Sequence, residues 1–191
     1  MKPYHPFTHI SDSTQKRVLI LLVALTLLLT AIFIRLDVPL KTSDAPMGIV
    51  SFELAMVFSK AQAIMNSWDS NARIYALFGL GLDYLYMFAY SFAIGLACIR
   101  IATLLPSRLS TMSTAGIWIA WTLWLAALLD AIENYALMQL MLGSQNQTWT
   151  LVSFCCAIPK FVIIAFGLCY VIMGAGLYFA NFAIIKDQKV V

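Results

Sequence analysis

Among the polar residues within long apolar stretches of this 191-residue chain, five are of types that bind ligands or exchange protons. They are Asp83, Asp130, Glu133, Asn134 and Lys160. An ionisable side chain in the middle of a membrane helix costs about 2.5 to 3.5 kcal/mol on insertion scales, so four of them represent roughly 10 to 14 kcal/mol if nothing compensates them. We therefore expect these groups to meet one another, or a ligand, inside the protein.

The spacing of these residues predicts that they meet at one depth. Asp130, Glu133 and Asn134 are spaced i, i+3 and i+4, which places them on one side of a helix. Counted from the predicted ends of their helices, Asp83, Asp130, Glu133 and Lys160 lie 9 to 12 residues inward. At the helical rise this is about 13 to 18 Å, so three helices are expected to present their charges at the same level.

The residue types predict a site linked to protons or cations. Asp83 shares its helix face with two aromatic hydroxyl residues, Tyr86 and Tyr90. The three carboxyl groups and the single ammonium of Lys160 sum to minus two if all are ionised, which is expensive in a low dielectric. One or two carboxyl groups are therefore expected to be protonated, or a cationic group to bind beside them.

The composition identifies the element that must hold these residues. Apolar residues make up 62% of the chain and charged residues only 11%, with a mean hydropathy of +0.86, which is typical of an integral membrane protein. Because lipid cannot satisfy open backbone groups, the prediction is an all-α transmembrane bundle forming a single domain. Four spans are predicted, at about 18–34, 72–99, 113–142 and 149–185, with tails at 1–17 and 186–191.

The segment between the first two spans predicts one further helix. Apolar residues recur at helical spacing from about 50 to 68, which indicates an amphipathic helix on the outer membrane surface or over the end of the bundle. Glu53 lies at the edge of the apolar stripe, where its side chain can turn inward. It therefore joins the candidate ligand-binding residues.

The distribution of lysine and arginine predicts the orientation. Seven such residues fall on the side of both termini and four on the opposite side, which places both termini in the cytoplasm and the protein in the cytoplasmic (inner) membrane. The seven are Lys2, Lys16, Arg17, Arg100, Arg108, Lys186 and Lys189.

Several classes of site and partner are disfavoured. The net charge of +3 is too small and scattered for a nucleic-acid partner. None of the four cysteines is spaced as Cys-x-x-Cys, and Pro6 separates His5 from His9, so no metal site is predicted. The expected partners are membrane lipids and a small polar or lipid ligand, and the sequence indicates neither a cofactor nor an oligomeric state.

Three interpretations of the function follow from the polar residues. The first is a membrane protein that binds a polar or cationic ligand, ion or lipid headgroup in an intramembrane pocket, with possible proton coupling. The second is an enzyme that uses the carboxyl groups for acid and base chemistry on a lipid or isoprenoid-like substrate. The third is a structural or assembly subunit whose buried charges only hold its helices together.

Overall fold

The described part of this protein consists of helices joined by short loops and turns. A computed structural model describes residues 4–106 and 109–187, with side chains described as far as Tyr178. Lys2, Arg108 and Lys189, used above for the orientation, lie outside the described residues, as does the side chain of Lys186. The described helices are α1 (Asp12–Asp37), α2 (Ile49–Glu53), α3 (Phe58–Ser67), α4 (Ser70–Leu104), α5 (Ser110–Met141) and α6 (Gln147–Asp187).

Four of these helices are long and apolar enough to cross a membrane, namely α1, α4, α5 and α6. This confirms the predicted all-α membrane bundle with four long apolar helices. α1 begins earlier than the predicted span because Ser11 caps it, its hydroxyl accepting a hydrogen bond from the Thr14 backbone N–H at 3.3 Å. It ends in a short 3-10 helix, Val38–Leu40.

The bundle is built around α4 and α5. α5 packs along both α4 and α6, whereas α1 packs mainly on α4 and leaves most of its surface open. Large apolar side chains of α1, including Ile20, Leu21 and Leu27, are exposed on that surface, as expected for a helix that contacts lipid.

Two apolar cores occupy the two ends of the bundle. At the end that carries α2 and α3, here called the cap end, Phe52, Ile64 and Trp68 pack with the turns of α4 and α5 at that end. At the opposite end, Phe7 from the N-terminal segment and Leu96 belong to the second core. The polar residues identified above lie between these two cores.

The cap contains two helices where the sequence predicts one over 50–68. α2 ends at Glu53, α3 begins at Phe58, and the amide of Gln147 at the start of α6 bridges the break. Gln147 Oε1 accepts a hydrogen bond from the Phe58 N–H at 2.7 Å, and its Nε2 donates to the Met56 carbonyl at 3.0 Å. The helix can therefore open here because a distant side chain satisfies the backbone groups that it exposes.

Candidate functional site

Lys160 on α6 is the centre of a buried charged cluster. It is only 4% exposed, and its Nζ lies 2.9 Å from Asp130 Oδ1 and 2.8 Å from Glu133 Oε2. Glu53 Oε2 is also within reach, at 3.9 Å. One ammonium group is thus shared by three carboxyl groups, which we call the Lys160 cluster.

Helix geometry explains why these side chains converge. Asp130 and Glu133 point the same way because they are three residues apart on α5, which packs against α6. Glu53 comes from the cap end of the bundle, where it is the last residue of α2. Ser153 on α6 holds it in place by donating a hydrogen bond to its backbone carbonyl at 3.1 Å. Burial raises the pKa of the Glu53 carboxyl, with the nearby ammonium of Lys160 opposing that effect.

Hydrogen bonds extend the cluster to α4. Tyr90 donates its hydroxyl hydrogen to Asp130 Oδ2 at 2.7 Å, so both oxygens of that carboxyl group have a donor. Asp83 lies about two helical turns closer to the cap end than Tyr90 on α4. Its Oδ2 accepts a hydrogen bond from Asn134 Nδ2 at 2.7 Å. Asp83 is therefore held by a neutral amide, whereas Asp130 is held by a cation.

The site carries more negative than positive charge. Glu53, Asp83, Asp130 and Glu133 supply four carboxyl groups against the one ammonium of Lys160, so the sum is minus three if all are ionised. The inward turn of Glu53 adds one carboxyl group to the three considered from the spans. The free energy of this set of residues falls when some of the carboxyl groups are protonated or when a cation binds beside them.

Not every acidic oxygen in the cluster has a hydrogen-bond donor. Glu53 Oε2 and both carboxylate oxygens of Glu133 accept no hydrogen bond, although Glu133 forms the close ion pair with Lys160. Glu133 is 0% exposed and Glu53 is 8% exposed, so bulk water does not solvate these oxygens. Their open acceptor capacity adds to the cost of the site.

A cavity of about 760 Å³ lies beside the cluster, between α1, α4 and α6. Its polar wall is formed by the charged residues other than Glu133, together with Asn134, Tyr86 and Tyr90. Its apolar wall includes Leu27 and Phe33 of α1 and Leu168 of α6. One continuous cavity therefore has an extended apolar wall and a smaller wall of carboxyl, ammonium, amide and hydroxyl groups.

The structure brings together all eight residues singled out from the sequence. Seven of them line the cavity, and Glu133, which pairs with Lys160, does not. Their role in binding a ligand stays a prediction. The seven are Glu53, Asp83, Tyr86, Tyr90, Asp130, Asn134 and Lys160.

Sequence reasoning missed the contribution of α1. Thr26 and Thr30 both line the cavity, and the Thr30 hydroxyl lies 3.0 Å from the Tyr86 hydroxyl. Two hydroxyl residues at i and i+4 in an otherwise apolar span were the available signal. Each also donates to a carbonyl of its own helix, at 2.8 Å, which is why such residues are inconspicuous in a membrane span.

Within residues 4–106 and 109–178, no group of three or more His, Cys, Asp or Glu residues is arranged to hold a metal ion. No protein-family model, curated protein or solved structure matches this chain. The chemistry of the site must therefore be argued from its own residues.

Proposed function

We propose that this protein binds an amphiphilic, lipid-like molecule in the cavity between α1, α4 and α6, with the polar group of that molecule beside Asp83. The observation that carries this proposal is the continuity of the cavity, which joins apolar walls to the charged cluster. Its volume of about 760 Å³ lies within the usual range for small-molecule sites. A purely polar solute would leave most of the lining unsatisfied, and a pure hydrocarbon would leave the acids unsolvated.

Access from the lipid supports the amphiphilic nature of the ligand. Leu27 and Ile34 of α1 and Leu168 of α6 line the cavity and are also exposed on the surface of the bundle. The cavity therefore reaches the face that contacts hydrocarbon, and a membrane-dissolved molecule can enter sideways without crossing water.

The positions of the polar groups support one orientation of the ligand. Asp83 lies on the cavity and is only partly buried, whereas Lys160 and Asp130 are buried and already paired. Asp83 is thus the acid whose remaining acceptor capacity is open to an incoming group. The hydrocarbon part then lies along α1 and α6, where the lining is apolar.

Two glycines of α4 provide a matched test. Gly79 lines the cavity, and a Cβ atom there would have Phe33 Cε1 as its nearest neighbour at 3.9 Å, so a larger side chain would enter the cavity. Gly81 is exposed two residues later, and a Cβ atom there would meet nothing within 4 Å. Gly79→Phe is expected to fill the site, whereas Gly81→Phe makes the same chemical change on another side of the same helix.

The assay is photolabelling of the purified protein by a long-chain alcohol that carries a diazirine in its alkyl chain. We expect labelled peptides from α1 and α6, competition by unlabelled alcohol, and strong loss of labelling in Gly79→Phe but not in Gly81→Phe. Equal labelling of wild type and Gly79→Phe, with both folded, would show that the cavity is not the binding site.

A further inference from the structure

We propose that the polar group recognised by this cavity is an organic ammonium, so that the ligand is a cationic amphiphile. This inference rests on the proposed function and specifies the chemical class of the ligand. It is carried by three features of the cavity: an acid without a cation partner, a set of aromatic rings beside it, and the charge of the surroundings.

The first feature is the environment of Asp83. Among the described residues, no Lys or Arg nitrogen lies within 4.0 Å of its carboxyl oxygens, and its hydrogen-bond donor is the neutral Asn134 amide. Lys160 does not fill this role, because its ammonium is already within 4.0 Å of three other carboxyl groups. An ammonium from a ligand would supply the missing charge.

The second feature is an aromatic wall next to that acid. Tyr86 and Tyr90 follow Asp83 on the same face of α4, and their ring centroids are 5.3 Å apart. Phe33 of α1 completes the group, with its centroid 5.1 Å from that of Tyr86. All three rings line the cavity, and aromatic faces beside a carboxylate are the combination that recognises organic ammonium groups.

The third feature is the charge that any polar group would meet on entry. The surrounding carboxyl groups exceed the ammonium of Lys160 by three, so a phosphate or carboxylate headgroup would add a further negative charge in a low dielectric. Glu53 adds an independent indication, because it lines the cavity, is 8% exposed and has an Oε2 atom without a hydrogen bond. A cation close to the carboxyl oxygens would lower the free-energy cost of burying them, whereas an anion would raise that cost.

The apolar lining distinguishes an organic cation from an inorganic one. A metal ion would require several ligands around one point, and no three His, Cys, Asp or Glu side chains among the described residues are arranged in that way. An alkyl ammonium carries its charge on a hydrocarbon, so one molecule satisfies both Asp83 and the apolar wall of α1 and α6. Aromatic rings also bind weakly hydrated ammonium groups more readily than strongly hydrated ions.

The test compares three probes with the same diazirine-bearing alkyl chain and different polar ends: trimethylammonium, alcohol and carboxylate. With the protein in a neutral maltoside detergent, we expect half-maximal labelling at a concentration at least about tenfold lower for the trimethylammonium probe than for the alcohol, and still weaker labelling by the carboxylate. Tetramethylammonium, which has no chain, is expected to compete poorly. If tetramethylammonium competes as strongly as an unlabelled alkyl trimethylammonium compound, the ligand is not an amphiphile and this part of the inference is wrong.

Two variants identify the residues responsible. Asp83→Asn is expected to weaken trimethylammonium labelling about tenfold or more and alcohol labelling much less, because asparagine removes the negative charge but keeps an oxygen that accepts a hydrogen bond. Asp44→Asn is the matched control, since it removes the same charge from an exposed residue outside the cavity. Tyr86→Leu is expected to weaken trimethylammonium labelling, and Tyr86→Phe, which keeps the ring, to preserve it. The Tyr86 pair keeps the inference testable if Asp83→Asn fails to fold.

The outcomes separate the ammonium inference from the proposed function. If all three probes label equally, Asp83→Asn changes nothing and Gly79→Phe abolishes labelling, the cavity binds lipid-like molecules and the ammonium inference is wrong. If Gly79→Phe abolishes labelling by none of the probes, the proposed function fails with it. Preferential labelling by trimethylammonium that is lost in Asp83→Asn and kept in Asp44→Asn supports both.

Discussion

Replacement of Lys160 by methionine tests whether the buried cluster depends on its one cation. The ammonium lies 2.9 Å from Asp130 and 2.8 Å from Glu133 and is 4% exposed, so both ion pairs are buried. Removing one partner of a buried pair costs about 3 to 5 kcal/mol, because the other charge remains without compensation. Methionine is unbranched and fills a similar space, so the loss of packing should add little.

The expected result is a fall of about 3 to 5 kcal/mol in the free energy of unfolding, measured by titrating the protein from neutral micelles into dodecyl sulfate. Lys60→Met is the control, since Lys60 is exposed on α3 and an exposed substitution usually changes stability by about 0.5 kcal/mol or less. A cost below about 1 kcal/mol for Lys160→Met, close to that of the control, would refute the buried ion-pair cluster.

A second substitution checks the cause of this loss. Both carboxylate oxygens of Glu133 lack hydrogen bonds, so Glu133 depends on Lys160 for compensation. Adding Glu133→Gln to Lys160→Met removes the charge that the first change left alone. The double variant should recover part of the lost stability, with a coupling of about 0.5 to 3 kcal/mol. Strict additivity of the two changes would show that their charges do not interact.

Three further substitutions probe other parts of the site and the cap. Burial raises the pKa of Glu53 above its ordinary value of 4.5, so its stabilising contribution is present below pH 4.5 and is lost as the pH rises through the folded-state pKa. The melting temperature of Glu53→Gln should therefore increase relative to that of the wild type as the pH rises. A difference that does not change with pH would contradict this. Gly48→Ala should cost about 1 to 3 kcal/mol in unfolding titrations, since Gly48 has a φ of 60° and a Cβ would collide with the Asp37 side chain. Tyr90→Phe should cost a similar amount, about 1 to 3 kcal/mol, because Asp130 loses a buried hydrogen-bond donor, and unchanged stability would show that this hydrogen bond contributes little.

The depth and the facing of the polar residues could be predicted from the sequence because membrane helices are long and regular. A fixed rise converts residue number into depth, and i, i+3, i+4 spacing converts it into a shared face. These two rules predict that Asp83, Asp130 and Lys160 lie close together; in the structure all three line one cavity, with Asp83 nearer the cap end than Asp130. They required no knowledge of which helices are neighbours.

The pairing within the cluster could not be predicted in the same way. Residue spacing does not distinguish Asp83 from Asp130 as the partner of Lys160, because the choice depends on how each helix is rotated about its axis. The structure pairs Lys160 with Asp130 and Glu133 and leaves Asp83 with Asn134. The rotation of a helix is set by side-chain packing along its whole length, so the spacing of a few residues does not predict it.

The cap shows a second limit of local patterns. The break between α2 and α3 depends on Gln147, whose side chain bonds to Phe58, 89 residues earlier in the chain. The helical periodicity continues through 50–68 because it depends only on which residues are apolar. It therefore cannot indicate a hydrogen bond to a residue far away in the chain. The inward turn of Glu53 could be predicted from its position beside the apolar stripe, but the hydrogen bond from Ser153 to its backbone could not.

The excess of acids in the site argues that stability alone does not account for it. Lys160 with Asp130 would be sufficient to fix the register of two helices, and each further buried carboxyl group adds desolvation cost. Asp83 contributes to no ion pair among the described residues, yet it faces the cavity from the middle of a membrane helix. Without ligand, Asp83→Asn should therefore unfold at a free energy equal to or above that of the wild type, whereas Asp130→Asn should be less stable. A large loss of stability in Asp83→Asn would instead assign its carboxylate to the framework of the bundle.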